Sequence, residues 1–397
     1  MDSDFFDEEV RSGYTVTRDI KKLWSVQLGL LERFTEVCGA YDLEYFAMFG
    51  TMLGAVRHGG FIPWDDDIDV AMPRGDYDRL SRMTDVFDAP LFLQTPENDP
   101  AAVPRFMKLM NGGTTRFPPD FPSSLTKGGH MGCCIDILPL DHAPSGRAAR
   151  KTARMAARCQ RLRIKSAALL EMGLREMPRW KRRHCRMTIP RSYEELTERY
   201  REICARYSAN AAGTGYYMMP VLAGDRSRLF FEKSLFSRCV TLDFEHLKVR
   251  VPCGYERLAE LIWEEGSELP DIAEREPKHK GFIDTGTPYT AHLARYEDVF
   301  KGLEGKDVLL FGAGNMLNIY MRRYGSRFPP KCAFDNDKGK WGKTLCGVPI
   351  LNPKSILDIK GAGARLIIIS LYHREIGEQL ERMGIYDYYI FVDGWNY

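Results

Sequence analysis

The stretch GFIPWDDDIDVAMP, residues 60–73, places Asp65, Asp66, Asp67 and Asp69 within five positions and encloses them in apolar sequence. Successive side chains of a β-strand point to opposite faces, so Asp67 and Asp69, separated by Ile68 and followed by Val70, share one face. Two carboxylates on one face repel each other unless a cation lies between them. Hard divalent ions are held by one or two carboxylates together with substrate phosphates, so the pair predicts a site for Mg²⁺ (or Mn²⁺). Asp65 and Asp66 admit a plainer reading: a solvated acidic turn after Pro63, with one of them capping a helix.

A third carboxylate stands in the same setting. CCIDILPLD, residues 133–141, puts Asp136 between Ile135 and Ile137. An unpaired carboxylate in an apolar strand costs several kcal/mol or shifts its pKa until it neutralises. Beside the same ion Asp136 is tolerated, and it can polarise an attacking hydroxyl. Upstream, LEYFAMFG (residues 43–50) reads as a strand ending at Gly50, followed by the Thr51 hydroxyl and a short helix. Glycine allows close backbone approach, and a helix N-terminus favours an anion. Arg57 and His58, further along that helix, join Gly50 and Thr51 as candidate substrate contacts. The order strand, Gly-Thr, helix, then Asp-x-Asp on the next strand is the layout of a nucleotidyltransferase-like, polymerase β-type α/β fold.

The rest of the chain suits an enzyme. Its 397 residues are 44% hydrophobic and 12% aromatic, the composition of a globular protein long enough for two domains. Lys plus Arg (56) nearly balances Asp plus Glu (54), which points away from a nucleic-acid binder or an acidic tail. The N-terminal MDSDFFDEEV has no basic start followed by an apolar core, and no stretch approaches a membrane span in length, so a cytoplasmic protein is expected. The ten cysteines show no CxxC pair and read as reduced thiols, Cys133 and Cys134 as core residues before any redox or metal role.

Residues 17–41 space Ile20, Leu23, Trp24, Leu28, Leu31, Phe34 and Cys38 at threes and fours, predicting an amphipathic helix. Residues 147–187 hold fourteen Lys or Arg against two Glu and read as helical insertions. This basic segment is either a solvated face or a peripheral contact with the inner face of an anionic membrane or a lipid-linked acceptor.

The motif FGTMLGAVRHGGFIPWDDDIDVAMPRGDY resembles the signature of the LicD family, bacterial phosphocholine transferases related to the fukutin-type phosphotransferases. The resemblance continues through KLMNGGTTR, IDILPLD and AEREPKHKGF and covers roughly residues 20–290. It implies transfer of a phospho-alcohol from a CDP-linked donor to a glycan or lipid-linked glycan hydroxyl, with Mg²⁺ held by aspartates. Asp67, Asp69 and Asp136 match the metal-binding and catalytic carboxylates, Gly50, Thr51 and Arg57 the phosphate-side motif, and Lys278 and His279 the closing motif. Leu138 stands where the family's third motif has an aromatic before the proline. From the residues alone, His58 and His279 read equally as neutral core histidines, and Phe61, Trp64 and Tyr77 either stack a cytosine or pack.

A second domain is expected from about residue 300, giving 1–300 for the catalytic domain and 301–397 for a smaller Rossmann-like α/β unit. DVLLFGAGNMLNIYMRRYG reads as strand, Gly312-x-Gly314 turn and helix, with Asp335 closing a second strand downstream, where a dinucleotide fold meets a ribose hydroxyl. Leu317 replaces the third glycine, so a generic Rossmann-like unit is favoured over an NAD site. A nucleotide-sugar, the acceptor or a partner protein are its open uses. The alternatives for the whole chain are a nucleotidyltransferase acting on a sugar or alcohol phosphate, and a non-catalytic nucleotide-binding scaffold.

Overall fold

The computed structural model describes residues 3–99, 104–117, 129–143, 147–171, 192–208, 214–219, 230–263, 270–271, 274–277, 281–293, 299–300, 302–303, 305–361, 363–370 and 372–391. The chain is a mixed α/β protein that divides into two compact units, Met1–Tyr289 and Thr290–Tyr397.

The first unit opens with a hairpin, β1 (Glu9–Arg11) and β2 (Tyr14–Val16), followed by helix α1 (Arg18–Ala40). Thr17 caps α1 by accepting the Ile20 amide, and the helix buries Leu23, Trp24, Leu28, Leu31, Phe34 and Cys38, the stripe that the spacing predicts. Lys21 and Gln27 are buried on the same helix. Next come β3 (Phe46–Ala47), α2 (Phe49–His58), β4 (Asp69–Pro73) and α3 (Arg74–Leu80), then β5 (Leu91–Gln94), β6 (Met107–Asn111), β7 (Thr115–Phe117) and the long β8 (Cys133–Ala143). Helices α4 (Arg147–Glu171) and α5 (Tyr193–Cys204) precede β9 (Tyr216–Met218), β10 (Phe230–Glu232), the hairpin β11 (Cys239–Phe244) and β12 (Leu247–Pro252), α6 (Tyr255–Ile262) and β13 (Phe282–Asp284).

Among the described residues, β8 is the centre of a seven-stranded sheet. It pairs in parallel with β4, and antiparallel with β6 along its first half and with β9 at its end. β4 also pairs with β3. The core joins Trp24, Leu28, Leu31 and Phe34 of α1 to Ile68, Val70 and Met72, to Met107 and Leu109, and to Ile135 and Ile137.

Two local expectations are corrected. The strand predicted up to Gly50 stops at Ala47, because after Met48, whose amide still donates to Asp69 O at 3.0 Å, the chain turns into α2. Gly50 lies inside α2, and the residue with left-handed backbone at its entry is Phe49, at φ 48°. β4 begins at Asp69, so Asp67 stands on the loop before the strand.

Helix α4 faces inward on one side. Thr152, Ala156, Cys159, Gln160, Arg163 and Ser166 are buried, and Ala156 and Cys159 join Leu138, Leu196 and Tyr200 in one apolar cluster. Lys151, Arg154, Arg158 and Arg161 are exposed. The part of the basic segment beyond Glu171 lies outside the described residues. Among the described residues no helix is long and apolar enough to cross a membrane.

The second unit contains β14 (Val308–Phe311), α7 (Asn315–Arg323), β15 (Pro330–Phe334), β16 (Thr344–Leu345), β17 (Val348–Leu351), β18 (Arg365–Ile368), α8 (His373–Arg382) and β19 (Tyr389–Ile390). Its sheet runs β16-β17-β15-β14-β18-β19, parallel except for the β16–β17 pair. Alternate residues of the central strands enter opposite cores. Leu310 and Ile367 join Leu317 and Tyr320 of α7, while Leu309, Phe311, Leu366 and Ile368 join Ile376 and Leu380 of α8. Full burial on both faces explains why these strands read as continuous apolar runs.

Candidate active site

Asp69 is held through its backbone. Its amide donates to Thr51 Oγ1 at 2.8 Å, and its carbonyl accepts from Met48. The buried Thr51 oxygen, expected on the phosphate side, thus fixes where β4 starts. The parallel register of β4 and β8 sets Asp69 across from Asp136, and the antiparallel register of β6 sets Lys108 across from Asp136 on its other side. A row of Asp69, Asp136 and Lys108 crosses three neighbouring strands.

In that row Lys108 Nζ donates to Asp136 Oδ1 at 2.7 Å, and the Cys134 thiol points to the same oxygen at 3.8 Å. Burial pushes the Cys134 thiol up to about 11, so it is a protonated donor. Cys133 Sγ donates to Thr115 O at 3.6 Å, and both cysteines are buried packing residues, as are most of the nine free cysteines among the described residues.

The solvated-turn reading of Asp65 and Asp66 is corrected: both are buried. Their loop is held from beneath by side chains that reach its carbonyls. Trp24 Nε1 donates to Asp65 O at 2.9 Å, and Gln27 Nε2 to Asp66 O at 2.9 Å. Arg116 donates to Asp66 O at 3.0 Å and to Asp66 Oδ2 at 3.3 Å. A Cβ on Gly50 would sit 2.1 Å from Asp65 Oδ2, so glycine leaves the space in which this carboxylate lies against the first turn of α2. One oxygen of each of Asp65, Asp66 and Asp67 lies within 4.8 Å of the others.

Burial, reinforced by the charges of Asp67, Asp136 and Asp65, pushes the Asp69 carboxyl well above the usual carboxylate range, against the pull of Lys108. A cation among these oxygens would relieve that repulsion. An all-oxygen donor set suits a hard divalent ion, so the residues present fit Mg²⁺ or Mn²⁺.

Other expected site residues fall elsewhere. Arg57 and His58 occupy the last turn of α2, about 9 Å along the helix axis from Thr51. Burial, with Arg57 and Arg11 adding, lowers the His58 pKa and favours the neutral imidazole, and among the described residues its buried Nε2 has no hydrogen-bond partner. Phe61 stacks on Trp24 with centroids 4.5 Å apart, Trp64 lies under Arg275, and the Tyr77 hydroxyl accepts from the Met107 amide at 2.8 Å. All three aromatics pack within the chain. Leu138 packs with α4 and α5. Lys278 and His279 lie outside the described residues.

In the second unit Gly312 has φ 121°, and a Cβ there would lie 2.9 Å from Ile369 O. Gly314 caps α7 at its N-terminus. Asp335 is engaged by this turn: Oδ2 accepts from the Ala313 amide at 2.7 Å and Lys340 Nζ at 3.0 Å, Oδ1 from the Asp337 amide at 2.9 Å. Burial opposes its charge, but these donors prevail and hold it below the usual range.

Sequence reasoning passed over Lys108, Arg116 and Gln27. Gln27 left a signal, a polar residue on the apolar stripe of α1. Lys108 and Arg116 lie inside the quoted KLMNGGTTR motif, yet their partners depend on strand register.

Residues 42–98 match the family described as LicD/FKTN/FKRP, nucleotidyltransferase domain. The lipopolysaccharide cholinephosphotransferase LicD of Haemophilus influenzae is 51% identical over 55 residues, 14% of this chain and 21% of that protein. An uncharacterized protein of Rickettsia prowazekii is 36% identical over 59 residues, 15% of this chain and 22% of that protein. The chain thus spans about a fifth of the length of each of these relatives. The stretch that carries Asp65, Asp66, Asp67 and Asp69 is thus the part of this chain that is similar to the LicD family.

Proposed function

We propose that the protein transfers a phospho-alcohol, phosphocholine or a close relative, from a CDP-linked donor to a hydroxyl of a cell-surface glycan or its lipid-linked precursor, releasing CMP. The observation that carries this reading is the gathering of Asp65, Asp66 and Asp67 beside the Asp69–Asp136 row within the LicD-type segment. Asp67 and Asp69, with Asp65 and Asp66 beside them, would hold a Mg²⁺ or Mn²⁺ ion, which would neutralise the charge that builds on the phosphate oxygen of the leaving CMP. The chain's own residues do the positioning. Thr51 and Met48 fix Asp69, Trp24, Gln27 and Arg116 fix the aspartate loop, and Asp136 orients the acceptor hydroxyl and takes its proton.

The second unit is proposed to be Rossmann-like. Its parallel strands run third, second, first, fourth, fifth in chain order, and such sheets bind ligands beyond the strand ends where the order reverses. Here that point lies between Gly312, after β14, and Ser370, after β18.

Thermal unfolding of the full chain tests the catalytic reading. CMP or CDP-choline should raise Tm only when Mn²⁺ or Mg²⁺ is present, and the rise should vanish in Asp69→Asn. A shift that ignores the metal, or no shift with either ligand, favours the scaffold reading.

A further inference from the structure

We propose that Lys108 is a positioning residue that weakens divalent-ion binding by the carboxylate cluster and reserves Asp136 for the acceptor hydroxyl. Only the second half rests on the phosphotransfer reading.

The pair is built into the sheet. Lys108 and Asp136 face each other in register on β6 and β8, with side chains 30% and 20% exposed and Nζ 2.7 Å from Oδ1. Lys108 Nζ lies over the Phe106 ring, 5.4 Å from its centroid. The Asp136 carboxylate in direct contact with Nζ is the counter-charge of the ammonium.

A fixed ammonium two strands from Asp69 has two consequences. It offsets part of the repulsion among the carboxylates, which lets the loop close without a metal. It also competes with any divalent ion for Asp136. An oxygen already held by an ammonium and a thiol is a poor metal ligand, whereas a carboxylate retains lone pairs for a hydroxyl proton. The converging oxygens of Asp65, Asp66 and Asp67 form a group that includes neither Asp69 nor Asp136, and of these two only Asp136 is held by Lys108. The Lys108 contact therefore divides the carboxylates, with Asp69 and the loop for the ion and Asp136 for the hydroxyl. Lysine suits this task because it is a compact point charge on a flexible stem that a bidentate arginine would not reproduce in full.

The test compares wild type, Lys108→Met and Lys108→Arg as full-length chains, using Mn²⁺ alone as the binding probe and cytidine-product release as the rate. Lys108→Met should bind Mn²⁺ about tenfold tighter, since it removes a cation at close range. Its kcat should fall at least about tenfold while the donor KM stays near wild type, because the loss falls on the hydroxyl-activating group. Lys108→Arg should restore Mn²⁺ affinity and part of kcat. A lysine with only a structural role would lower Mn²⁺ affinity, kcat and Tm together, and unchanged or weaker Mn²⁺ binding by Lys108→Met overturns the proposal. Should Lys108→Met not fold, Lys108→Gln, which keeps a donor without the charge, carries the same comparison. If no variant, wild type included, releases CMP from a CDP-alcohol, the phosphotransfer reading fails, while the Mn²⁺ comparison still decides the role of Lys108.

Discussion

Asp69 concentrates the electrostatics of the first unit, since burial and three neighbouring carboxylates all oppose its charge. Replacing it by Asn removes that opposition and the proposed metal ligand together. Asp69→Asn is therefore expected to abolish CMP release while Tm of the metal-free protein stays level or rises, by calorimetry and product assay. Measurable turnover in Asp69→Asn contradicts the account. Gly50 gives a steric counterpart: Gly50→Ala puts a methyl where Asp65 Oδ2 now lies, so the carboxylate must swing away. Mn²⁺ affinity should drop several-fold while stability changes by about 1 kcal/mol, within the range for overpacking at a side-chain tip that can move. The carboxylate cluster itself was legible in the sequence, but the strand period expected for Asp67 and Asp69 holds only from Asp69, where β4 begins. The burial of Asp65 and Asp66 was not legible, because it depends on Trp24, Gln27 and Arg116 arriving from α1 and β7.

Helix α2 shows how glycines place the aspartate loop. A Cβ on Gly54 would lie 2.3 Å from Gly60 O, a backbone atom that cannot rotate aside. Gly54→Ala should therefore cost about 1–3 kcal/mol, read as a lower denaturant midpoint. An unchanged midpoint would mean that this helix and loop are not packed as described. Helix α4 divides its cations between two tasks. Arg163 is fully buried and donates to Gln160 Oε1, Pro104 O, Thr197 Oγ1 and the Tyr193 hydroxyl, so it holds α4 against α5. Lys151, Arg154, Arg158 and Arg161 form an exposed stripe. If the basic segment meets an anionic surface, the stripe carries the contact, at around 1 kcal/mol per residue near such a surface. Replacing the four by Gln should remove salt-sensitive co-sedimentation with anionic vesicles and leave Tm intact. Equal binding of wild type to neutral and anionic vesicles rules out that contact. The count of basic residues was legible in the sequence. Which of them turned inward was not, because the inward contacts of Arg163 are set by Tyr193 and Thr197, some thirty residues further along the chain.

Over the whole chain, near-equal numbers of acidic and basic residues hide a local excess of carboxylate at one end of β4, where the proposed chemistry is placed. The α/β class could be read from alternating strand and helix patterns, most clearly after Val308, where buried parallel strands give unbroken apolar runs. The role of Asp335 could not, since strand-to-acid spacing is the same whether the acid meets a ribose or, as here, the amides of its own glycine turn. The LicD-type match covers the aspartate loop and little else, so donor and acceptor are matters for experiment. The most direct measurement follows the cytidine product when the full-length protein is given Mn²⁺, a glycan acceptor and CDP-choline, CDP-ethanolamine, CDP-ribitol or CDP-glycerol in turn. The account predicts metal-dependent release of CMP from at least one donor, with the phospho-alcohol on the acceptor. Pyrophosphate release from CTP, with the nucleotide itself joined to the acceptor, would contradict it.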